Sequence, residues 1–290
     1  MLSPQKNEQG NILRAVHWNG IALTIPLQWE IVVQDKNRLI CEDQLQPVFE
    51  LRWFRQTDKD LDYQRQCERV GYQVKFIPLP PGLESLAQRY QIRAFKKKES
   101  PQLAGFFAYC PHCQTGITIQ LYKHNLSSQE DILEILMSMD CHGDARVWEI
   151  QDFRFALPGK KDSLWQLERY SFAPALTHLQ FTRGPLGLHI CRIAASEERL
   201  AEQGIDEILE VLCDRKGLQV EEGEGGLRGW HAPSIFQQIT LRSQRKKPFI
   251  ESRIRHLPEK NRILVCMLES KKPIEVSLVQ QIWQSYDIVL

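Results

Sequence analysis

No apolar run in this 290-residue chain approaches the roughly 18 residues that a membrane-spanning helix needs, so no membrane insertion is expected. A charge of one sign is lacking too: 37 lysines and arginines face 36 aspartates and glutamates, for a formal net charge of +1. That balance supplies no global attraction to nucleic acid or anionic membrane. The start, "MLSPQKNEQGNILRA", has no apolar core of the kind a signal peptide carries, and residues 1–16 read as a polar tail. Catalytic signatures are missing as well. There is no G-x-S-x-G, H-E-x-x-H, phosphate-loop or kinase set, which argues against an enzyme. The glycine-rich "GEGGLRG" (223–229) is followed by "WHAPSIFQQITL", whose proline and β-type residues do not read as the helix N-terminus a phosphate loop requires. A hairpin or loop is expected there.

What is present is ordinary globular composition, 42% hydrophobic and 25% charged, with a length that suggests about two domains. Eight cysteines are spread along the chain, several in apolar surroundings such as "ILVCML", "EVLCDR" and "LHICRI". Most read as small buried hydrophobes in a reducing cytoplasm.

Internal similarity organises the rest. "WNGIALTIP" (18–26) sits above "IQDFRFALP" (150–158) at an offset of 132 that aligns Pro26 with Pro158. "CERVGYQV" (67–74) sits above "CDRKGLQV" (213–220) at an offset of 146, and 146 also carries "GITIQLY" (116–122) onto "RILVCML" (262–268). Two copies are therefore read, 17–146 and 147–290, the second with 14 extra residues between Pro158 and Gly204. Each opens with period-two alternation, Ile21, Leu23, Ile25 and Phe153, Phe155, Leu157, and continues with further strand-like segments. A helix follows in each. The stripe Ile205, Ile208, Leu209, Leu212, Cys213 carries it in the second copy and Tyr63, Cys67, Val70 in the first. Gly71 and Gly217 stand where left-handed caps would be. A second helix is expected to start at a capping box, Ser127 and Glu130, in one copy and near Pro273 in the other. This order predicts an α+β class: a tandem duplication of an antiparallel β-sheet domain flanked by helices.

The stretch Leu23-Thr24-Ile25-Pro26-Leu27-Gln28-Trp29, a strand ending in proline and then tryptophan, resembles the PsbP-like superfamily, whose fold includes a Ran-binding import factor. The second copy departs from it, with Gly159-Lys160-Lys161 and a tryptophan only at Trp165. The resemblance implies a non-enzymatic binding protein and supplies no catalytic residues.

"FFAYCPHCQTGITI" (106–119) places Cys110 and Cys113 at the tip of an expected hairpin. The 146 offset maps Cys110-Pro111-His112-Cys113 onto His256-Leu257-Pro258-Glu259, so the second copy keeps the hairpin without thiols. A thioredoxin-type pair uses a helix N-terminus to lower its thiol pKa, whereas a turn pair has the shape of a zinc knuckle. The strand from Ile117 to Tyr122 runs about 17 Å away from the tip. A helix over 129–140 covers about 17 Å back. It would end at Cys141 and His142, making a Cys3His set with Cys110 and Cys113. Zinc of structural type, free thiols on a turn, and a disulfide or redox pair all stay open, and His112, His17 or water could replace His142 as the fourth ligand.

Two basic runs, Lys96, Lys97, Lys98 and Arg245, Lys246, Lys247, are candidates for a phosphate-attracting surface or simply for solvated loops. Only Phe95 and Phe249 lie close enough in sequence to offer stacking platforms. The function expected is a cytoplasmic protein-binding adaptor with a structural zinc. The rivals are an enzyme with a site between copies, or a nucleic-acid accessory protein.

Overall fold

The computed structural model describes residues 12–55, 73–98, 103–122, 129–142, 144, 146–159, 165–215, 217–223 and 225–289. The expected helix over Tyr63, Cys67 and Val70, Gly71 behind it, and Ser127 lie outside these residues. The chain divides into two compact units, Met1–Ala145 with Glu149–Gln151, and Arg146–Trp148 with Asp152–Leu290.

The first unit opens with a hairpin, β1 (Leu13–Trp18) and β2 (Ile21–Pro26), with His17 paired to Glu149. Strand β1 begins inside the stretch read as a polar tail. There follow β3 (Glu30–Asp35), β4 (Arg38–Asp43), β5 (Gln46–Arg55), β6 (Val74–Ile77), helix α1 (Glu84–Arg89), β7 (Gln91–Lys97), β8 (Leu103–Cys110), β9 (Thr115–Leu121) and helix α2 (Gln129–Ser138). Strands β3 to β9 form a seven-stranded antiparallel sheet of order β3-β4-β5-β9-β8-β7-β6. The predicted inward set Ile21, Leu23 and Ile25 is buried, as are Ile132, Ile135, Leu136 and Met139 along α2 and beyond its end. Phe95 stacks on Phe107 at 4.5 Å between ring centroids.

After β10 (Val147–Ile150), the second unit runs β11 (Phe153–Ala156), β12 (Gln166–Phe172), β13 (Leu176–Arg183), β14 (Leu186–Ala194), α3 (Ser196–Glu202), α4 (Ile205–Cys213), β15 (Gln219–Gly223), β16 (Gly226–His231), α5 (Ile235–Ser243), β17 (Phe249–Leu257), β18 (Arg262–Ser270), α6 (Val276–Ser285) and β19 (Asp287–Ile288). Its sheet has the order β12-β13-β14-β18-β17-β16-β15, so the winding of the first unit's sheet recurs. Helix α4 covers the predicted stripe, and Ile208, Leu209 and Cys213 pack on Cys191, Ile250, Ile254, Ile263 and Val265. Gly229 permits that packing: a Cβ there would lie 2.7 Å from Leu209 Cδ2.

The α+β expectation is corrected. Among the described residues strand accounts for 52% and helix for 21%, and the described strands fall into three antiparallel sheets, a β-rich fold. Among the described residues no helix exceeds ten residues. The reading overweighted the helices because their 3.6-residue stripes are easier to see than long strands buried on both faces. In β18 the run Ile263–Leu268 is wholly apolar and wholly buried, so no alternation marks it.

Three finer corrections follow. The left-handed cap of α4 is Asp214 (φ 49°); Gly217 is also left-handed (φ 69°), three residues later, where its N–H donates to Glu210 Oε1 at 3.0 Å. "IFQQITLRS" (Ile235–Ser243) is a helix despite its β-type residues: Ser234 Oγ accepts from the Gln237 N–H and Gln237 Oε1 accepts from the Ser234 N–H, a complete capping box. The hairpin equivalence is 147 rather than 146. Pro111 and Pro258 each follow the last strand residue, and Gln114 (φ 57°) and Asn261 (φ 50°) are the matching left-handed residues. The same shift aligns Ser138 with Ser285, which perform the same task. Ser138 Oγ accepts from the Thr24 N–H at 2.8 Å, and Ser285 Oγ accepts from the Ala156 N–H at 2.8 Å. Among the described residues, no helix is long and apolar enough to cross a membrane.

Candidate metal centre

Cys110 ends β8 and pairs with Thr115, so Pro111, His112, Cys113 and Gln114 form the hairpin turn. The left-handed Gln114 reverses the chain and leaves Cys113 on the same side as Cys110. The opposite half arrives from α2. Beyond its end, Asp140 exchanges two 2.8 Å backbone hydrogen bonds with Ala22 of β2. Arg89 guanidinium N–H groups donate to the carbonyls of Met137 (2.6 Å) and Met139 (3.1 Å), satisfying helix-end acceptors that α2 cannot pair internally. The Cys141 N–H donates to Tyr90 Oη at 3.3 Å, and the His142 N–H donates to Asp140 Oδ1 at 2.7 Å. These bonds deliver two consecutive residues to one point.

The four ligand atoms of Cys110, Cys113, Cys141 and His142 lie within 4.8 Å of one another. Cys110 Sγ is 2.9 Å from His142 Nε2, and Cys113 Sγ is 3.4 Å from Cys141 Sγ. A tetrahedral site with metal–sulfur bonds near 2.3 Å has edges of about 3.7 Å, so the observed separations bracket the required one. The group could hold a metal ion. His112 is not in the set; its ring meets that of His142 edge-on at 4.8 Å between centroids. His17 is not in the set either, and pairs with Glu149 in the sheet.

Burial opposes ionisation of Cys113, but hydrogen bonds with Thr115, Cys141 and Cys110 outweigh it and hold the thiol below its ordinary value. Burial pushes the Cys141 thiol up, and the neighbouring Cys113 adds to that. A cluster that stabilises one thiolate but resists a second is suited to a cation, which would remove the repulsion.

In the second unit the equivalent turn has no thiol. His256 Nε2 lies 2.9 Å from Ser196 Oγ, which donates to Asn261 Oδ1 at 3.0 Å. Past α6, Tyr286 is fully buried and its hydroxyl donates to the Cys191 carbonyl at 2.8 Å.

The basic runs belong to different units. Lys96 and Lys97 end β7, and Lys98 Nζ donates to Gln73 Oε1 at 2.9 Å. Arg245, Lys246 and Lys247 follow α5; Lys246 pairs with Asp214, and Lys247 with Glu269 at 3.0 Å. Phe95 is buried against Phe107 and offers no stacking platform.

From the sequence, His178 and His189 read as hydrogen-bonded or surface histidines in strand-like segments; the structure joins them in one polar cluster on the second sheet. His178 Nε2 lies 2.9 Å from His189 Nδ1, and His189 Nε2 lies 3.6 Å from Glu269 Oε1, which also meets Lys247. Burial and the facing His189 lower the His178 pKa to about 4. Burial raises the Glu269 pKa, but His189 and Lys247 outweigh it and bring it to about 2. The signal was available: both histidines flank the Gly184-Pro185 turn of one hairpin.

No family model matches the chain, and neither does any curated protein. Among solved structures it is similar to MucB in complex with MucA(peri), at 6% identity, with 99% of this chain and 86% of that chain covered and a TM-score of 0.23. It is also similar to MucB alone, at 8% identity, with coverages of 98% and 85% and a TM-score of 0.23. Similarity at that level carries no argument about fold or function.

Proposed function

We propose that the chain is a non-enzymatic, protein-binding scaffold whose first unit is stapled by a structural zinc ion at Cys110, Cys113, Cys141 and His142. The observation that carries the zinc is the convergence of these four ligand atoms from a hairpin turn and a helix end. Four protein ligands complete a tetrahedral shell and leave no open position for substrate, which favours a structural over a catalytic role. The ion would tie the end of α2 to the β8–β9 turn.

Protein binding is supported by the sheet edges. Strand β15 is an edge strand whose every residue is exposed, and β6 is the edge of the other sheet, with Phe76 39% exposed. Such edges accept an added strand from a partner. All seven cysteines among the described residues are free, which fits a reducing cytoplasm. Metal analysis of the purified chain tests the zinc: one equivalent is expected, lost in Cys113→Ser. Substoichiometric zinc that the substitution leaves unchanged would refute it. Affinity purification from the native host tests the scaffold, with a stoichiometric protein partner as the expected result.

A further inference from the structure

Helix α5 contributes no buried residue to the core. Ile235, Phe236 and Ile239 are instead 75%, 83% and 61% exposed. At about 100° per residue these three share an arc of roughly 100°, and Arg242 adjoins it one turn on. Gln238 and Leu241, on the other side, are partly buried. So large an apolar outward face marks an interaction site.

The surroundings are basic. From Gly225 to Ile250 the sequence has five basic residues, Arg228, Arg242, Arg245, Lys246 and Lys247, and no acidic one. Arg228, Lys246 and Lys247 are engaged by Glu251, Asp214 and Glu269. Arg242 and Arg245 are exposed. Arg242 Nη2 donates to the Lys271 carbonyl at 3.1 Å, which brings the exposed Lys271 and Lys272 to the C-terminal end of α5. Beyond Lys272 the next acidic residue is Glu275, at the start of α6.

We propose that α5 docks on an anionic lipid surface, with Ile235, Phe236 and Ile239 in the bilayer interface and Arg242, Arg245, Lys271 and Lys272 at the headgroup phosphates. A short helix with an apolar face and a basic border lies in the plane of such an interface. Its convex face needs no complementary groove, because fluid lipid conforms to it. The chain's near-zero net charge does not oppose this, since surface attraction acts within a Debye length of the patch. The proposal is independent of the zinc centre in the other unit.

Vesicle flotation of the full chain tests it, comparing phosphatidylcholine–phosphatidylglycerol vesicles with pure phosphatidylcholine. Expected is binding to the anionic vesicles that weakens with salt and is much weaker on pure phosphatidylcholine. Phe236→Ser with Ile239→Ser, and separately Arg242→Gln with Arg245→Gln, should each weaken it at least ~10-fold. All four side chains are exposed, so an unchanged thermal melt verifies folding. Absence of wild-type binding at low salt, or binding by both double variants equal to that of the wild type, would overturn the proposal. So would a concentration-dependent dimer abolished by the apolar double variant, since that assigns the face to a second copy of the chain.

Discussion

Glu50, in the middle of β5, is 1% exposed and would be a costly buried charge without partners. Arg38 meets it through Nε at 2.8 Å and Nη2 at 3.1 Å, Arg52 meets it through Nε, and the Tyr122 hydroxyl donates at 2.7 Å. The arginines are over a third exposed and can reach water when unpaired; the carboxylate cannot. An asymmetry follows. Glu50→Ala should cost about 2 kcal/mol, while Arg38→Ala with Arg52→Ala, which strands the buried charge, should cost about 3–5 kcal/mol. Urea unfolding of the two variants measures the difference, and equal costs would show that Glu50 is hydrated or protonated when alone. His178 gives a pH signature. Its folded pKa of about 4 lies below the ordinary 6.5, so the unfolded chain takes up the proton first as pH falls. The neutral folded form is favoured above pH 6.5, and that stability is lost between 6.5 and 4. Glu269 continues the loss in the same direction, from its ordinary 4.5 toward about 2. His178→Gln should flatten the stability curve from pH 6.5 to 4 and leave the lower segment sloped.

Among the elements, α2 carries the site, and several weak anchors position its end: the Ser138 hydroxyl on Thr24, the Asp140–Ala22 backbone pair, and Arg89 on the terminal carbonyls. A bound ion would be the strongest of them. Chelation should raise hydrogen exchange at Met139 through His142 and in the Pro111–Gln114 turn by about tenfold or more, with little change in α4 and β14. Uniform exchange before and after chelation would separate the ion from the helix end. At this scale the sequence was legible where period and burial agree. Phe153, Phe155 and Leu157 are buried as their alternation requires, and Ile205, Ile208, Leu209, Leu212 and Cys213 define α4. It was not legible where local chemistry overrides propensity, as in the Ser234–Gln237 box that makes a helix of "IFQQITLRS". Nor did it fix phase. The all-apolar, all-buried run Ile263–Leu268 of β18 carries no alternation to set its register, so identity of letters gave 146 where turn geometry gives 147. The Cys3His group that could hold a metal was legible despite that slip, because the strand-out, helix-back distances do not depend on the offset.

Across the whole molecule, two seven-stranded antiparallel sheets have the same winding, and the helices are short additions to them. In one unit the corresponding turn carries no thiol; the other brings three cysteines and a histidine together at the turn and the helix end. The difference is what a metal staple would exploit, because an ion bound only by the native arrangement stabilises it by mass action. X-ray absorption at the zinc edge of the purified chain is the most direct measurement of this account. It predicts four-coordinate zinc with three sulfur neighbours near 2.3 Å and one imidazole nitrogen near 2.0 Å, the nitrogen signal lost in His142→Ala and one sulfur lost in Cys141→Ser. A shell dominated by oxygen, or one unchanged by either substitution, would contradict it.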